Sequence, residues 1–197
     1  MQTLQKPEIP PRERILLAAR ELFYARGIRC VSVDEIAAAA HTNKMTLYRH
    51  FESKDLLVVE YLKMAAANDE AVANESTRAH PDDSYAQLRD WIARIGNLFG
   101  SDRRGCAIAN AAVELPEKDH PARLVVEDYK TRQRDRIVRL CAEAGFVEPE
   151  RLADEIFLLL EGACINVQCC ARRSPGARLV ALIYALMDSR PRRPKRK

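Results

Sequence analysis

The sequence has no apolar run long enough to cross a membrane. Its unbroken apolar stretches, residues 156–160 among them, fall far short of the roughly 20 residues that a transmembrane helix needs. Gln, Lys, Glu and Pro interrupt the first residues, so no apolar signal segment follows Met1. We therefore expect a cytoplasmic protein with no membrane partner.

A disulfide or metal-binding cysteine pattern is also missing. None of the six cysteines has CxxC spacing, and Cys169 and Cys170 are adjacent, so on a helix they point in different directions. We expect reduced thiols that pack as small apolar side chains, with no bound metal and no cofactor. A redox role for Cys169 or Cys106 stays open as an alternative.

Common catalytic motifs are absent as well. The sequence contains no nucleophile elbow, phosphate-binding loop, dinucleotide fingerprint or HExxH motif. We therefore expect that the protein is not an enzyme.

Positive charge is concentrated at the C-terminus. The net charge of the 197 residues is +4, and residues 190–197 alone hold six basic side chains. Residues 62–189 are net negative, so they do not form a broad surface for nucleic acid. Phosphate contacts must come from placed residues among the first 61 or from the tail. The proline-containing tail is predicted to be disordered, either as a solvated end or as a segment with non-specific affinity for DNA.

Almost the whole chain shows helical periodicity. Apolar residues recur at spacings of three and four, and strand-like alternation is nearly absent. Breaks that contain glycine or proline divide the chain into about nine helices. We predict an all-α fold with a three-helix domain over residues 1–53, a helical domain over 54–189 and the disordered tail over 190–197.

Residues 33–50 have the pattern of a helix-turn-helix motif. Ser32 and Glu35 form a capping box that opens the first short helix. Asn43 can cap the second, and only three residues separate the two helices. In such motifs the second helix enters the major groove of DNA. By that geometry, the candidates for reading base edges are Lys44, Met45, Thr46 and Arg49.

The stretch from residue 14 to residue 61 resembles the N-terminal domain of TetR-family transcriptional regulators. The matching positions are Ile15, Leu16, Ala18, Ala19, Leu22, Phe23, Gly27, Val33, Ile36, Ala37, Ala40, Thr46, Leu47, Tyr48, His50, Phe51, Ser53, Lys54 and Leu57. Three residues depart from the family pattern. His41 and Met45 stand where the family usually has glycine, and Asn43 stands where it usually has serine. His and Asn tolerate left-handed or capping backbone, whereas Met45 should alter which bases are read.

The resemblance implies a two-fold homodimer that binds a near-palindromic DNA operator, one half-site to each subunit. At matched positions it implies phosphate contacts by Tyr48, His50 and Lys54. Structural roles are the open alternatives: packing for Tyr48, helix capping for His50, and a solvated side chain for Lys54. Thr42 and Asn43 are candidates for either phosphate contact or capping.

The resemblance also implies that the remaining two-thirds of the chain bind a small-molecule effector and dimerise. The last two predicted helices carry apolar stripes, which could join those of a second subunit in a four-helix bundle. The interface candidates are Leu152, Ile156, Leu159, Ala163, Leu179, Ile183 and Leu186. The alternative is that these residues fill the core of their own subunit.

An effector pocket should appear as apolar helices that bear isolated polar groups. Asn110 and Glu114 share one face of an otherwise apolar helix, and Gln168 lies among apolar residues. The candidate lining residues are Trp91, Phe99, Asn110, Glu114, Tyr129, Phe157 and Gln168. Structural packing is the alternative for each of them.

We predict a transcriptional repressor that a small-molecule effector, of unknown identity, releases from its operator. The effector would act on the spacing of the two recognition helices through the long helix that begins at Lys54. A redox-responsive repressor and a DNA-binding protein that is insensitive to ligand are the alternatives.

Overall fold

The protein is all-α in a computed structural model that describes residues 9–101, 104–169 and 175–193. Nine helices lie within these residues, and no named strand does. They are α1 Pro11–Arg26, α2 Val33–Ala39, α3 Lys44–His50, α4 Lys54–Ala79, α5 Ser84–Ser101, α6 Ala107–Glu114, α7 Pro121–Glu143, α8 Pro149–Cys169 and α9 Pro175–Asp188. The predicted fold class is confirmed. None of these nine helices combines the length and the apolarity that a bilayer crossing needs.

The chain divides into two compact units whose limits differ from the predicted domains. Unit 1 comprises residues 1–64 and 110–125, and unit 2 comprises 65–109 and 126–197. The predicted boundary after residue 53 is too early because the first turns of α4 bury apolar side chains in the core of unit 1. The segment 110–125 was not predicted to belong there.

Unit 1 is built on a small apolar core between its short helices. Pro11 occupies the first turn of α1, where its missing N–H costs nothing, and Gly27 ends that helix at a φ of +88°. The core residues from α1 to α4 are Ile15, Ala19, Phe23, Ile36, Ala37, Leu47, Phe51, Leu57, Val58, Tyr61 and Leu62. This core fixes α3 against α1 and α2.

The core of unit 2 comes mainly from α5, α7, α8 and α9. Its fully buried side chains include Leu88, Ile92, Ile137 and Ile156. Helices α5 and α9 pack closely at Gly96 and Gly176. A Cβ added to Gly176 would lie only 1.9 Å from the carbonyl oxygen of Gly96.

Burial assigns most of the predicted interface residues to this core. Leu152, Ile156, Ala163, Leu179 and Ile183 are buried within the chain itself, and Leu159 and Leu186 are partly buried against the same cluster. The helical period therefore identified the inward face of α8 and α9. The exposed large apolar residues on these two helices are Leu158, Ile165 and Leu182.

The prediction of a disordered tail is wrong for residues 190–193. The Arg190 guanidinium donates to the Glu155 carboxylate. The Arg193 N–H donates to the Gly145 carbonyl at 2.7 Å, and the Arg192 guanidinium lies 4.0 Å from the centre of the Tyr85 ring. These hydrogen bonds and the cation–π contact offset the loss of chain entropy. Residues 194–197 lie outside the described residues.

Gly176→Ala should destabilise unit 2 because the new methyl group would overlap backbone of α5. We expect a loss of about 1–3 kcal/mol in the free energy of unfolding, as for other overpacked sites. Gly162→Ala is the matched control: nothing lies within 4 Å of a Cβ at this position of α8. That control should gain about 0.5–1 kcal/mol from the better helix propensity of alanine. Urea unfolding followed by circular dichroism measures both, and equal stability of the two variants would contradict the close packing.

Candidate nucleic-acid interface

Helix α2 has a defined cap at each end. The Ser32 hydroxyl accepts from the Glu35 N–H at 3.2 Å, and the Glu35 carboxylate accepts from the Ser32 N–H at 2.8 Å. The predicted capping box is therefore present. At the other end, the N–H groups of His41 and Thr42 donate to the carbonyls of Ala38 and Ala37. This pattern is a Schellman motif.

The turn between α2 and α3 needs a left-handed residue, and His41 supplies it. His41 has a φ of +51°, a value that non-glycine residues seldom adopt. The sequence prediction that histidine can replace glycine at this turn is confirmed. The Schellman motif and the left-handed His41 together set the direction in which the chain enters α3.

Helix α3 has one buried side and one exposed side. Asn43 caps it by accepting the Thr46 N–H at 2.9 Å, which confirms its capping role. Leu47 is fully buried and anchors the helix to the core of unit 1. Met45, by contrast, exposes 84% of its surface and Tyr48 exposes 42%. Lys44 and Arg49 are exposed as well.

The remaining predicted contact residues are in mixed environments. Thr42 and Thr46 are half-buried, and the Thr42 N–H is used in the Schellman motif. His50 is half-buried, and its Nε2 is buried with no hydrogen-bond partner among the described residues. The Lys44 ammonium lies 3.4 Å from the Asp34 carboxylate in an exposed pair, which contributes little to stability.

Lys54 has a structural role that the sequence did not indicate. Its ammonium donates to the Ile28 carbonyl at 2.7 Å and lies 5.9 Å from the centre of the Phe23 ring. Burial is the main cause that lowers the pKa of Lys54. Lys54 therefore holds the α1–α2 turn within unit 1, and its contact with phosphate stays a prediction.

Glu114 differs from its predicted role as a pocket residue. It is the last residue of α6, and its carboxylate accepts the N–H of Ile28 at 2.6 Å and the N–H of Arg29 at 3.2 Å. The Arg29 guanidinium donates to the Glu114 carbonyl and pairs with Glu117. We call these contacts the Glu114 clamp. Its carboxylate satisfies two backbone donors that would otherwise be unpaired in the protein.

The absence of a side chain at Gly27 leaves space for the Glu114 carboxylate. A Cβ at Gly27 would lie 2.9 Å from Oε2 of Glu114, and the φ of +88° is strained for any other residue. The glycine signalled a turn in the sequence. Nothing in the sequence indicated that Glu114, 86 positions after Ile28, would bind the N–H groups of this turn.

The first comparison with known proteins concerns this unit. Residues 15–61 match the family model described as bacterial regulatory proteins, tetR family. The helix-turn-helix geometry of α2 and α3 lies within that match.

The second comparison covers nearly the whole chain. A crystal structure of SCO4454, a TetR-family transcriptional regulator from Streptomyces coelicolor, superposes with a TM-score of 0.85 at 28% identity, over 90% of this chain and 94% of that one. Over nearly its whole length the chain is similar to TetR-family transcriptional regulators. It is therefore a DNA-binding regulator, as the resemblance of its N-terminal residues implied.

Two curated regulators resemble the chain over different lengths. It is 23% identical to the transcriptional repressor DhaR from Mycobacterium sp. (strain GP1), over 91% of this chain and 94% of that protein. It is 34% identical to the transcriptional activator FasR from Mycolicibacterium smegmatis, over 50% of this chain and 45% of that protein.

The predicted effector-pocket residues are divided between the two units. Asn110 and Glu114 lie in unit 1, whereas the others lie in unit 2. Trp91 is buried in the unit 2 core, and Phe99 and Phe157 are partly buried against it. In the free chain these three aromatic residues therefore pack in or against the core, which is the alternative to a pocket role that the sequence left open.

Tyr129 is part of a polar cluster in unit 2. Its hydroxyl donates to the Asp69 carboxylate at 2.7 Å, and burial raises the pKa of both groups. The neighbouring Lys130 pairs with Glu161, and its ammonium lies 5.7 Å from the centre of the Phe157 ring. Gln168 is exposed, near Gly105.

The capping box should make the stability of unit 1 depend on pH. Hydrogen bonds from the Ser32 backbone and side chain, and then from Arg26, lower the pKa of Glu35 to about 2 from 4.5. The stabilisation is therefore present above pH 4.5 and disappears as the pH falls through about 2. Glu35→Gln should lower the urea midpoint at neutral pH, and the difference from wild type should shrink steadily on acidification.

The matched control for this pH effect is Glu21→Gln, since Glu21 is exposed on α1. We expect little change in its urea midpoint at any pH. If the urea midpoints of Glu35→Gln and wild type differ by the same amount at pH 7 and at pH 3, the result would contradict an ionised capping carboxylate.

Proposed function

We propose that the protein is a homodimeric transcriptional repressor that acts in the cytoplasm and has no enzymatic activity. Each subunit inserts α3 into the major groove of one half of a near-palindromic operator. A small molecule bound to unit 2 releases the dimer from DNA. The similarity to TetR-family regulators and the relatives that are named as repressors support this proposal.

The observation that carries the proposal is the two-sided character of α3. Leu47 fixes the helix to the core, while Lys44, Met45, Tyr48 and Arg49 remain exposed on its outer side. The α3 N-terminus is already capped by Asn43, so the helix is formed before DNA arrives. A preformed helix loses little conformational entropy on binding.

The chemistry of the exposed side chains suggests which bases are read. Arg and Lys donate to O6 and N7 of guanine, and an apolar side chain contacts the thymine methyl group. Arg49 and Lys44 therefore favour guanine, and the fully solvated Met45 favours thymine. Tyr48 supplies a hydroxyl that can donate to phosphate.

The proposed effector site is in unit 2. Asp69, Tyr129 and Lys130 place a carboxylate, a hydroxyl and an ammonium at half-buried and buried positions, and a few such polar groups in a buried setting are typical of ligand sites. The helix α4 runs from Lys54 in unit 1 to Ala79 in unit 2 without a break. That continuity is what transmission along α4 requires.

Selection from a random pool of DNA duplexes tests this proposal. The purified protein should enrich a near-palindromic sequence, and Arg49→Ala and Tyr48→Ala should each weaken binding to it by about 1–3 kcal/mol. Arg151→Ala is the charge-matched control, because Arg151 is an exposed arginine of α8 in unit 2. It should bind the recovered operator like wild type.

Two results of the selection would contradict the proposal. One is binding that enriches no sequence and is lost when residues 194–197 are deleted. The other is equal weakening by Arg49→Ala and Arg151→Ala with no effect of Tyr48→Ala, which would indicate attraction by net charge alone.

The proposed dimer uses the outward face of α8 and α9. Leu158 exposes 70% of its surface, and Ile165 and Leu182 are also exposed on these two helices. In the proposed dimer a partner subunit covers these apolar side chains. A second copy is the occupant that a two-fold operator demands, since both half-sites must be read together.

Leu158→Glu should dissociate the dimer because it places a charge in the proposed interface. The molar mass from sedimentation equilibrium should fall towards 22.3 kDa, the mass of one chain. Leu124→Glu is the matched control, since Leu124 is equally exposed, at 73%, but lies on α7. If Leu158→Glu leaves the mass of two chains unchanged, this face is not the interface.

A further inference from the structure

The start of α6 lies directly against α8. A Cβ added to Gly105 would lie 2.6 Å from the carbonyl oxygen of Cys164, so only glycine permits this approach. Gly105 also has a φ of +69°, a left-handed value. The next residue is Cys106, so the backbone contact brings Cys106 beside Cys164.

Across this close approach the thiols of Cys106 and Cys164 lie near enough to shift each other's pKa. The positive charge of Lys130 lowers the pKa of both thiols, whereas the negative charge of Asp69 raises the pKa of Cys106. Cys164 is buried, whereas Cys106 remains partly exposed.

The electrostatic surroundings favour reaction at Cys106. The hydrogen bond from Cys164 is the main cause that lowers the pKa of Cys106, and it raises the pKa of Cys164. Thiolates are the reactive form of cysteine. The buried Cys141 provides a contrast within the same unit, because burial alone raises its pKa to about 12.

We propose that Cys106 and Cys164 form an oxidation site that closes to a disulfide on reaction with a hydroperoxide and thereby weakens operator binding. The oxidation site itself rests on the close approach of Gly105 to Cys164, which brings Cys106 beside Cys164. Its effect on DNA rests on the proposed function.

The chemistry needs only the two thiols and hydrogen peroxide. The Cys106 thiolate attacks one peroxide oxygen, the O–O bond breaks, and hydroxide leaves while Cys106 becomes a sulfenic acid. The Cys164 sulfur then attacks the Cys106 sulfur. The S–S bond forms, the S–O bond breaks, and the departing hydroxide takes the Cys164 proton. The two sulfurs lose two electrons in total, and the peroxide is reduced to water.

Helix α6 gives the disulfide a route to the DNA-binding unit. Its first residue, Ala107, follows Cys106, and its last residue, Glu114, holds the α1–α2 turn through the Glu114 clamp. Drawing the sulfurs to the bond length of about 2.05 Å moves the start of α6 relative to α8. A displacement of an eight-residue helix reaches its other end, where the N–H groups of Ile28 and Arg29 are bound.

Peroxide treatment of the reduced full-length protein tests both the oxidation site and its effect on operator binding. Peptide mass spectrometry without reductant should find the Cys106–Cys164 linkage. Affinity for the operator recovered by selection should fall at least about tenfold, within the range of allosteric couplings, and return on reduction. Cys106→Ser and Cys164→Ser should bind the operator when reduced and lose the peroxide response. Cys141→Ser is the matched control and should keep it.

The outcomes separate this inference from the proposed function. Absence of the linkage overturns the oxidation site, and a linkage that leaves operator affinity unchanged overturns its regulatory effect. A peroxide response that survives in Cys106→Ser would assign oxidation to another thiol and also overturn the inference. If the reduced protein selects no operator, the proposed function fails, while the peptide linkage still decides the oxidation chemistry.

Discussion

The structure of unit 1 depends on one carboxylate, that of Glu114. The N–H groups of Ile28 and Arg29 lie in the α1–α2 turn, and leaving the part-buried Ile28 N–H without a partner would cost free energy. The carboxylate binds both, and Lys54 binds the Ile28 carbonyl from the other side of the turn. The position of α2, and through it the exposed face of α3, follows from this turn.

The parts of the fold that depend on neighbouring residues could be predicted from the sequence. The Ser32–Glu35 box, the Asn43 cap and the left-handed His41 all follow from local backbone chemistry. The Glu114 clamp could not be predicted, because its partners are separated by 86 positions and an acidic residue on an apolar helix fits a pocket equally well. The order of the chain at Arg192 likewise depends on a distant Tyr85 ring.

Apolar periodicity also cannot identify an interface between subunits. A stripe of apolar residues shows that a helix buries one side, but it does not show whether the helix buries that side in its own subunit or against another. In α8 the stripe that includes Leu152 and Ile156 is the core, and the exposed Leu158 lies outside it. The same limit applies to the aromatic residues predicted to line a pocket, such as Trp91, since aromatics that fill a core follow the same spacing.

Helix α3 is proposed to read base edges in the major groove. Interference by methylation with dimethyl sulfate tests it directly, because the reagent marks guanine N7 in the major groove and adenine N3 in the minor groove. On the operator recovered by selection, methylated guanines should block binding at symmetric positions in both half-sites. The Arg49→Ala variant should lose that sensitivity at one guanine of each half-site. Interference confined to adenine N3 would place the protein in the minor groove and contradict the account.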